Sequence, residues 1–182
     1  MLNKLRALIT SGDLLEKVNN PKIWDSLIVN KRKPHTYRVF SHDKETRICL
    51  HKFDTCNTDE AFPHPHPWPG AFFILSGGYN MKVGKSKDLK SDPEDVASFY
   101  MGPLSGYEIT SPLTWHSVIP LATTYTVMIN GPAWSPEVAH SKVRTTKGKD
   151  LGKLSLEELG EHLQIFKRLI YPLKRSLPND IK

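Results

Sequence analysis

The chain is poor in cysteine: Cys49 and Cys56 are all it has. Two thiols make no disulfide framework, which excludes a small scaffold stapled by bridges and fits free thiols in a reducing compartment. No apolar run approaches the ~20 residues of a membrane span, and no amino-terminal apolar segment resembles a signal peptide. The expectation is a cytoplasmic protein with no membrane partner. Arginine is absent between Ile48 and Val143. Basic residues interleaved with aromatics are also missing, so the net charge of +6 does not point to nucleic acid as a partner. The basic excess sits towards the two ends, and the middle is mildly acidic. No internal repeat and no low-complexity segment interrupts the chain.

What is present fits one domain over residues 1–182, long enough for a real core. Residues 1–30 form an amino-terminal helical segment: Leu2, Leu5, Leu8 and Ile9 share a face, Ser11-Gly12-Asp13 interrupts, and Leu14, Leu15 and Val18 resume before Pro21. Residues 36–132 carry short β-rich segments between Gly/Pro turns, the pattern of a sandwich or small barrel. These are Thr36 to Phe40, Arg47 to Phe53, Tyr79 to Val83, Phe99 to Met101, Tyr107 to Thr110, Trp115 to Ile119 and Thr123 to Asn130. Ile23 to Val29 is apolar but of undecided type. Gly84 to Asp95 is polar without periodicity and reads as an exposed loop or lid. Trp134 to Lys149 reads as a basic loop. Residues 151–172 hold a carboxy-terminal helix. It opens at a Ser155-Leu156-Glu157-Glu158 capping box and carries Leu156, Leu159, Leu163, Phe166 and Ile170 on one stripe. That stripe packs on the barrel or on another subunit, which leaves a homodimer open.

The most unusual stretch is Pro63-His64-Pro65-His66-Pro67-Trp68-Pro69-Gly70. Proline at every second position holds the chain extended and removes ladder donors. Successive side chains of an extended chain alternate in direction, so His64, His66 and Trp68 share a face. Two adjacent imidazoles are half of a metal site. Ala71 to Leu75 follows as a strand buried on both faces, and Gly77-Gly78 turns the chain.

These residues resemble the cupin superfamily. The first cupin motif carries His-x-His, then a glutamate, then a glycine; His64, His66 and Gly77 match, while the glutamate position falls on Gly70 or Ala71. The His64-Pro-His66-Pro67-Trp68 segment with Leu75-Ser76-Gly77-Gly78-Tyr79 is closer to a little-characterised group of bacterial and phage cupins. The likeness spans about Ile48 to Pro132. It implies a mainly β fold, a cupin-type jelly-roll barrel with amino- and carboxy-terminal helices. It also implies a third histidine from a later strand, for which His116 is the candidate, one position away from the usual spacing.

His64, His66 and His116 would bind a divalent metal and leave positions open for a ligand. Loss of the glutamate resembles, more distantly, the thiol dioxygenases, which use three histidines and ferrous iron. Iron(II) is therefore the first expectation, with nickel, manganese or zinc compatible on ligand type. The implied function is a metal-dependent dioxygenase acting on a small molecule. Two other classes stay open: a non-catalytic cupin binding a small ligand or sugar, and a metal-free isomerase-like cupin using one histidine as base. Arg47, His51, Trp68, Tyr79 and Tyr125 are candidate ligand contacts, with Arg38 the other arginine near the barrel. Packing is the simpler reading of Trp68, Trp115, Tyr79 and Tyr125, and a Pro-rich loop with exposed imidazoles would explain the histidine pair. Glu108 is a candidate replacement carboxylate. His35, His42, His140 and His162 have no supporting context.

Overall fold

A computed structural model describes residues 1–29, 33–43, 46–61, 63–89, 91–134 and 151–174. The amino-terminal helices are α1, Leu2–Ser11, and α2, Asp13–Val18, broken where Gly12 adopts φ 95°. The strands are β1 Asp25–Ile28, β2 Thr36–Asp43, β3 Thr46–Phe53, β4 His64–Pro65, β5 Gly70–Ser76, β6 Tyr79–Lys85, β7 Glu94–Met101, β8 Gly106–Ile109, β9 Thr114–Pro120 and β10 Thr124–Asn130. Helix α3, Leu156–Ile170, follows. The fold is mainly β, as expected: among the described residues all strand pairs are antiparallel, and they form two sheets. One has the order β1-β2-β3-β10-β5-β8 and the other β4-β9-β6-β7. Neighbours that are distant in sequence, such as β3 and β10, are what a jelly roll requires.

Register sorts the side chains onto faces. Across the larger sheet, Arg38 pairs with His51, His51 with Thr126, and Thr126 with Ile74. A second row runs Phe40, Cys49, Met128, Phe72, Tyr107. These rows face the barrel interior. The alternate rows, including Val39, Leu50, Val127 and Phe73, face outward and join one core with Leu5, Ile9, Leu14, Leu163, Phe166 and Ile170 from the helices. This explains why Ala71 to Leu75 is apolar at every position: β5 is sandwiched between the helical layer and the barrel interior.

The turn from β5 to β6 carries the chain from one sheet to the other through two glycines. Gly77 sits at φ 78°, and a Cβ there would run into the Thr123 carbonyl and Thr124. A Cβ on Gly78 would run into the Tyr100 phenol.

Several expectations need correction. The segment of undecided type contains β1, which extends the larger sheet at β2. Gly84 to Asp95 is not one loop: β6 runs to Lys85 and β7 begins at Glu94, the two pairing as Lys85 with Glu94. A register irregularity between Val83 and Gly84 breaks the alternation that would have revealed it. The capping box is present, with Ser155 N–H donating to Glu158 Oε2 at 2.7 Å and Glu158 N–H donating to Ser155 Oγ at 3.1 Å. Leu156, however, is 88 % exposed, and the fifth buried member of α3 is His162. The histidine lies on the side of the helix that meets Tyr37 and Phe166. The basic loop read over Trp134 to Lys149 falls, from residue 135 on and with His140, outside the described residues.

Candidate metal centre

Strand β4 is two residues long because prolines flank each of its possible ladder donors. It pairs with β9 so that His64 lies directly opposite His116, and Pro65 opposite Trp115. His116 in turn pairs with Val83 on β6. His64, His116 and Val83 thus form one interior-facing row, and Trp115 faces the other way. His66, two residues beyond His64, returns to the same face, as the alternation requires.

The three imidazoles converge. One ring nitrogen from each of His64, His66 and His116 can be chosen so that all lie within 4.8 Å of one another. His66 Nε2 and His116 Nε2 are 2.9 Å apart. Two nitrogens bound at 2.0–2.1 Å to one metal lie roughly 2.9–3.4 Å apart, depending on the bond angle. The buried pair therefore already has ligand spacing, and His64, half-buried at the rim, needs to close by roughly 1.5 Å. Burial drives the His66 and His116 pKa values well below the ordinary range, with the neighbouring imidazoles adding to the effect. Both rings are neutral at pH 7, the state in which imidazole binds metal. The cluster fits a divalent metal by donor type, spacing and protonation.

The cluster forms part of the wall of a cavity of about 90 Å³ measured at water centres. One water needs roughly 10–15 Å³ on that measure, so a small molecule fits. Arg38, His51, Phe72, Tyr79, Tyr107, Thr126 and Met128 contribute to the wall from the barrel interior. His35, Asp54 and Glu60 line its more exposed part. Arg38 Nε donates to His51 Nε2 at 2.8 Å. His51 must then carry its proton on Nδ1, which lies 3.5 Å from Thr126 Oγ1. On the opposite wall Tyr79 Oη donates to Tyr107 Oη at 3.1 Å, and Tyr107 Oη is 3.4 Å from His116 Nδ1. Burial pushes both phenols above their usual pKa, so both stay protonated at neutral pH.

The candidate contacts divide. His51 and Tyr79 line the cavity. Arg47 does not: its guanidinium lies 4.1 Å over the Phe40 ring, at the end of β3 away from His51. Trp68 packs against the cluster of Cys49, Phe72, Ile109 and Met128. Tyr125 is on the outward face, edge-on to Phe166 of α3. Glu108 is also outward, pairing with Ala71 and forming an ion pair with the Met1 amino group at 2.7 Å. It lies on the face opposite Tyr107 and is no replacement ligand. Cys49 is buried, with its thiol pKa raised by that burial. Sequence reasoning missed Tyr107 and His35. The alternation of β8 would have put Tyr107 on one face, but which face depends on the pairing with β5.

No family model matches the chain, and no curated protein does. Among solved structures, the iron(II) form of HppE is similar with a TM-score of 0.49 at 13% identity, over 61% of this chain and 57% of that one. The hydroxypropylphosphonic acid epoxidase from S. wedmorenis gives 0.48 at 13%, over 61% and 56%. The cobalt(II) form of HppE with substrate gives 0.43 at 14%, over 57% and 55%. The chain spans little more than half the length of these structures.

Proposed function

We propose that the chain is a cupin metalloprotein acting as a metal-dependent oxygenase, of the iron type, on a small anionic molecule. The observation that carries this reading is the convergence of three imidazoles on one wall of a cavity, two of them 2.9 Å apart and buried. Three neutral ligands leave the 2+ charge of the metal uncompensated, which favours an anion in the open position. Arg38 lines the same cavity and adds a permanent cation. A bound ferrous ion would supply the redox chemistry for activating dioxygen. The chain itself holds the three rings, keeps His66 and His116 neutral by burial, and screens the interior with Phe72 and Met128.

The reading is tested by purification without added metal, elemental analysis, and oxygen uptake with iron(II) and panels of thiols and small organic acids. Stoichiometric iron with substrate-dependent uptake supports it; metal-dependent binding of small acids without uptake would make the protein a binding module. The hydrogen bond between His66 and His116 also suits a second reading, a metal-free isomerase-like site in which one ring acts as base. Proton exchange into small carbonyl substrates by chelator-treated protein would favour that one.

A further inference from the structure

A phenol hydroxyl has one proton to give and two lone pairs to fill. Tyr107 already receives one donor, the Tyr79 hydroxyl at 3.1 Å. Its second neighbour is His116 Nδ1 at 3.4 Å. Which of these two groups donates depends on the far side of the same ring. A neutral imidazole carries one proton. With that proton on Nε2, shared with His66 Nε2 at 2.9 Å, Nδ1 accepts from Tyr107. With Nε2 bound to a metal, the proton must sit on Nδ1, and Nδ1 donates to Tyr107. Both lone pairs of Tyr107 are then filled. With the Tyr79 proton filling the 3.1 Å contact between the two phenols, the Tyr107 proton has no further acceptor among the hydrogen bonds of the described residues, while the side chain forms part of the cavity wall. The ring is held by stacking on Phe72, centroids 4.6 Å apart at 6°, so the hydroxyl can swing but the oxygen stays in place.

We infer that metal loading turns the Tyr107 hydroxyl from His116 to the cavity, where it donates to the ligand and makes Tyr107 a specificity residue. This rests on the metal reading above. Tyr107 meets the nitrogen of His116 remote from the metal-facing one, so a ligand touching both must be two-ended. It carries an anionic group for the metal and an acceptor oxygen further along, as a dicarboxylate does.

The test uses zinc-loaded full-length protein, its metal content measured, titrated calorimetrically with acetate, oxalate, malonate and succinate. The expectation is that at least one dicarboxylate binds more tightly than acetate. Tyr107→Phe should weaken that dicarboxylate roughly tenfold, as for a lost hydrogen bond to a charged acceptor, and leave acetate unchanged. Tyr79→Phe, which keeps the Tyr107 proton, should retain the preference. Nitrogen-15 spectra of His116 should show the proton on Nδ1 in the zinc form. Equal weakening of acetate and dicarboxylate by Tyr107→Phe would overturn the proposal, as would no weakening, no dicarboxylate binding, or a zinc form protonated at Nε2. Wild-type protein that takes up no metal would remove the metal reading itself, and metal uptake with any of the other negative results removes only the role of Tyr107.

Discussion

His64 and His116 are register partners on adjacent antiparallel strands, their rings 4.7 Å apart. The pairing makes the candidate metal centre a property of the sheet. A one-residue slip of β4 against β9 would turn His64 away from the interior, and the prolines that limit β4 to two residues leave only that pairing to fix it.

The candidate ligand His66 is buried, 8 % exposed, and lies 2.9 Å from His116. His66→Ala should abolish divalent metal binding. The loss should exceed the roughly 10- to 100-fold expected from removing an outer partner of a ligand. His42→Ala, at an exposed position on β2, should retain full metal content. Elemental analysis after loading and dialysis checks both, and a fully loaded His66→Ala protein would rule out the site.

Gly77 supports the strand after the histidines. At φ 78° with the Thr123 carbonyl in the way, Gly77→Ala combines an unfavourable backbone conformation with a clash. It should lower stability by at least ~1–3 kcal/mol. A denaturant titration with an unchanged midpoint would contradict the turn.

The turn also shows what was legible. The Gly77-Gly78 pair and the proline ribbon state their conformations locally, because Gly and Pro act on φ directly. The capping box of α3 is equally local. The histidine face followed from alternation alone. The failures were non-local. Arg38 and Arg47 lie on neighbouring strands with similar sequence context, and only the β2–β3 register, Arg38 opposite His51, separates the cavity arginine from the one over Phe40. Tyr125 and Thr126 are adjacent on β10, and the pairing decides that the threonine faces His51. Burial of His162 required knowing where α3 docks.

Leu163 lies in the layer between α3 and the sheet, 3 % exposed and part of the main core. Isolated helices of this length are marginal in water, so packing holds α3. Leu163→Asp should cost at least ~3 kcal/mol, the range for an uncompensated buried charge. Chemical denaturation checks it; an unchanged midpoint would mean that α3 is detached in solution.

His162 makes the same interface sensitive to acid. Its ring lies between Phe166, at 5.4 Å, and Tyr37, at 6.4 Å, and Nε2 is buried without a hydrogen-bond partner. Burial, with a smaller contribution from the Lys52 charge, lowers its pKa from 6.5 to about 4. Lys52 itself lies over the Tyr37 ring at 4.9 Å, so the group facing the histidine across the interface is a cation, not an acid that could take up its charge. Between those values the unfolded chain binds the proton and the folded chain does not. Unfolding is therefore favoured as pH falls. The stability is fully present above 6.5 and is lost progressively down to about 4, amounting to about 3 kcal/mol at ~1.4 kcal/mol per unit. His162→Leu should remove that part of the pH dependence while leaving stability at pH 7.5 within ~1.5 kcal/mol, as volume-conserving core changes do. Denaturation midpoints of both proteins from pH 7.5 to 4 check it. Parallel curves for the two would show that some other group gives the acid sensitivity.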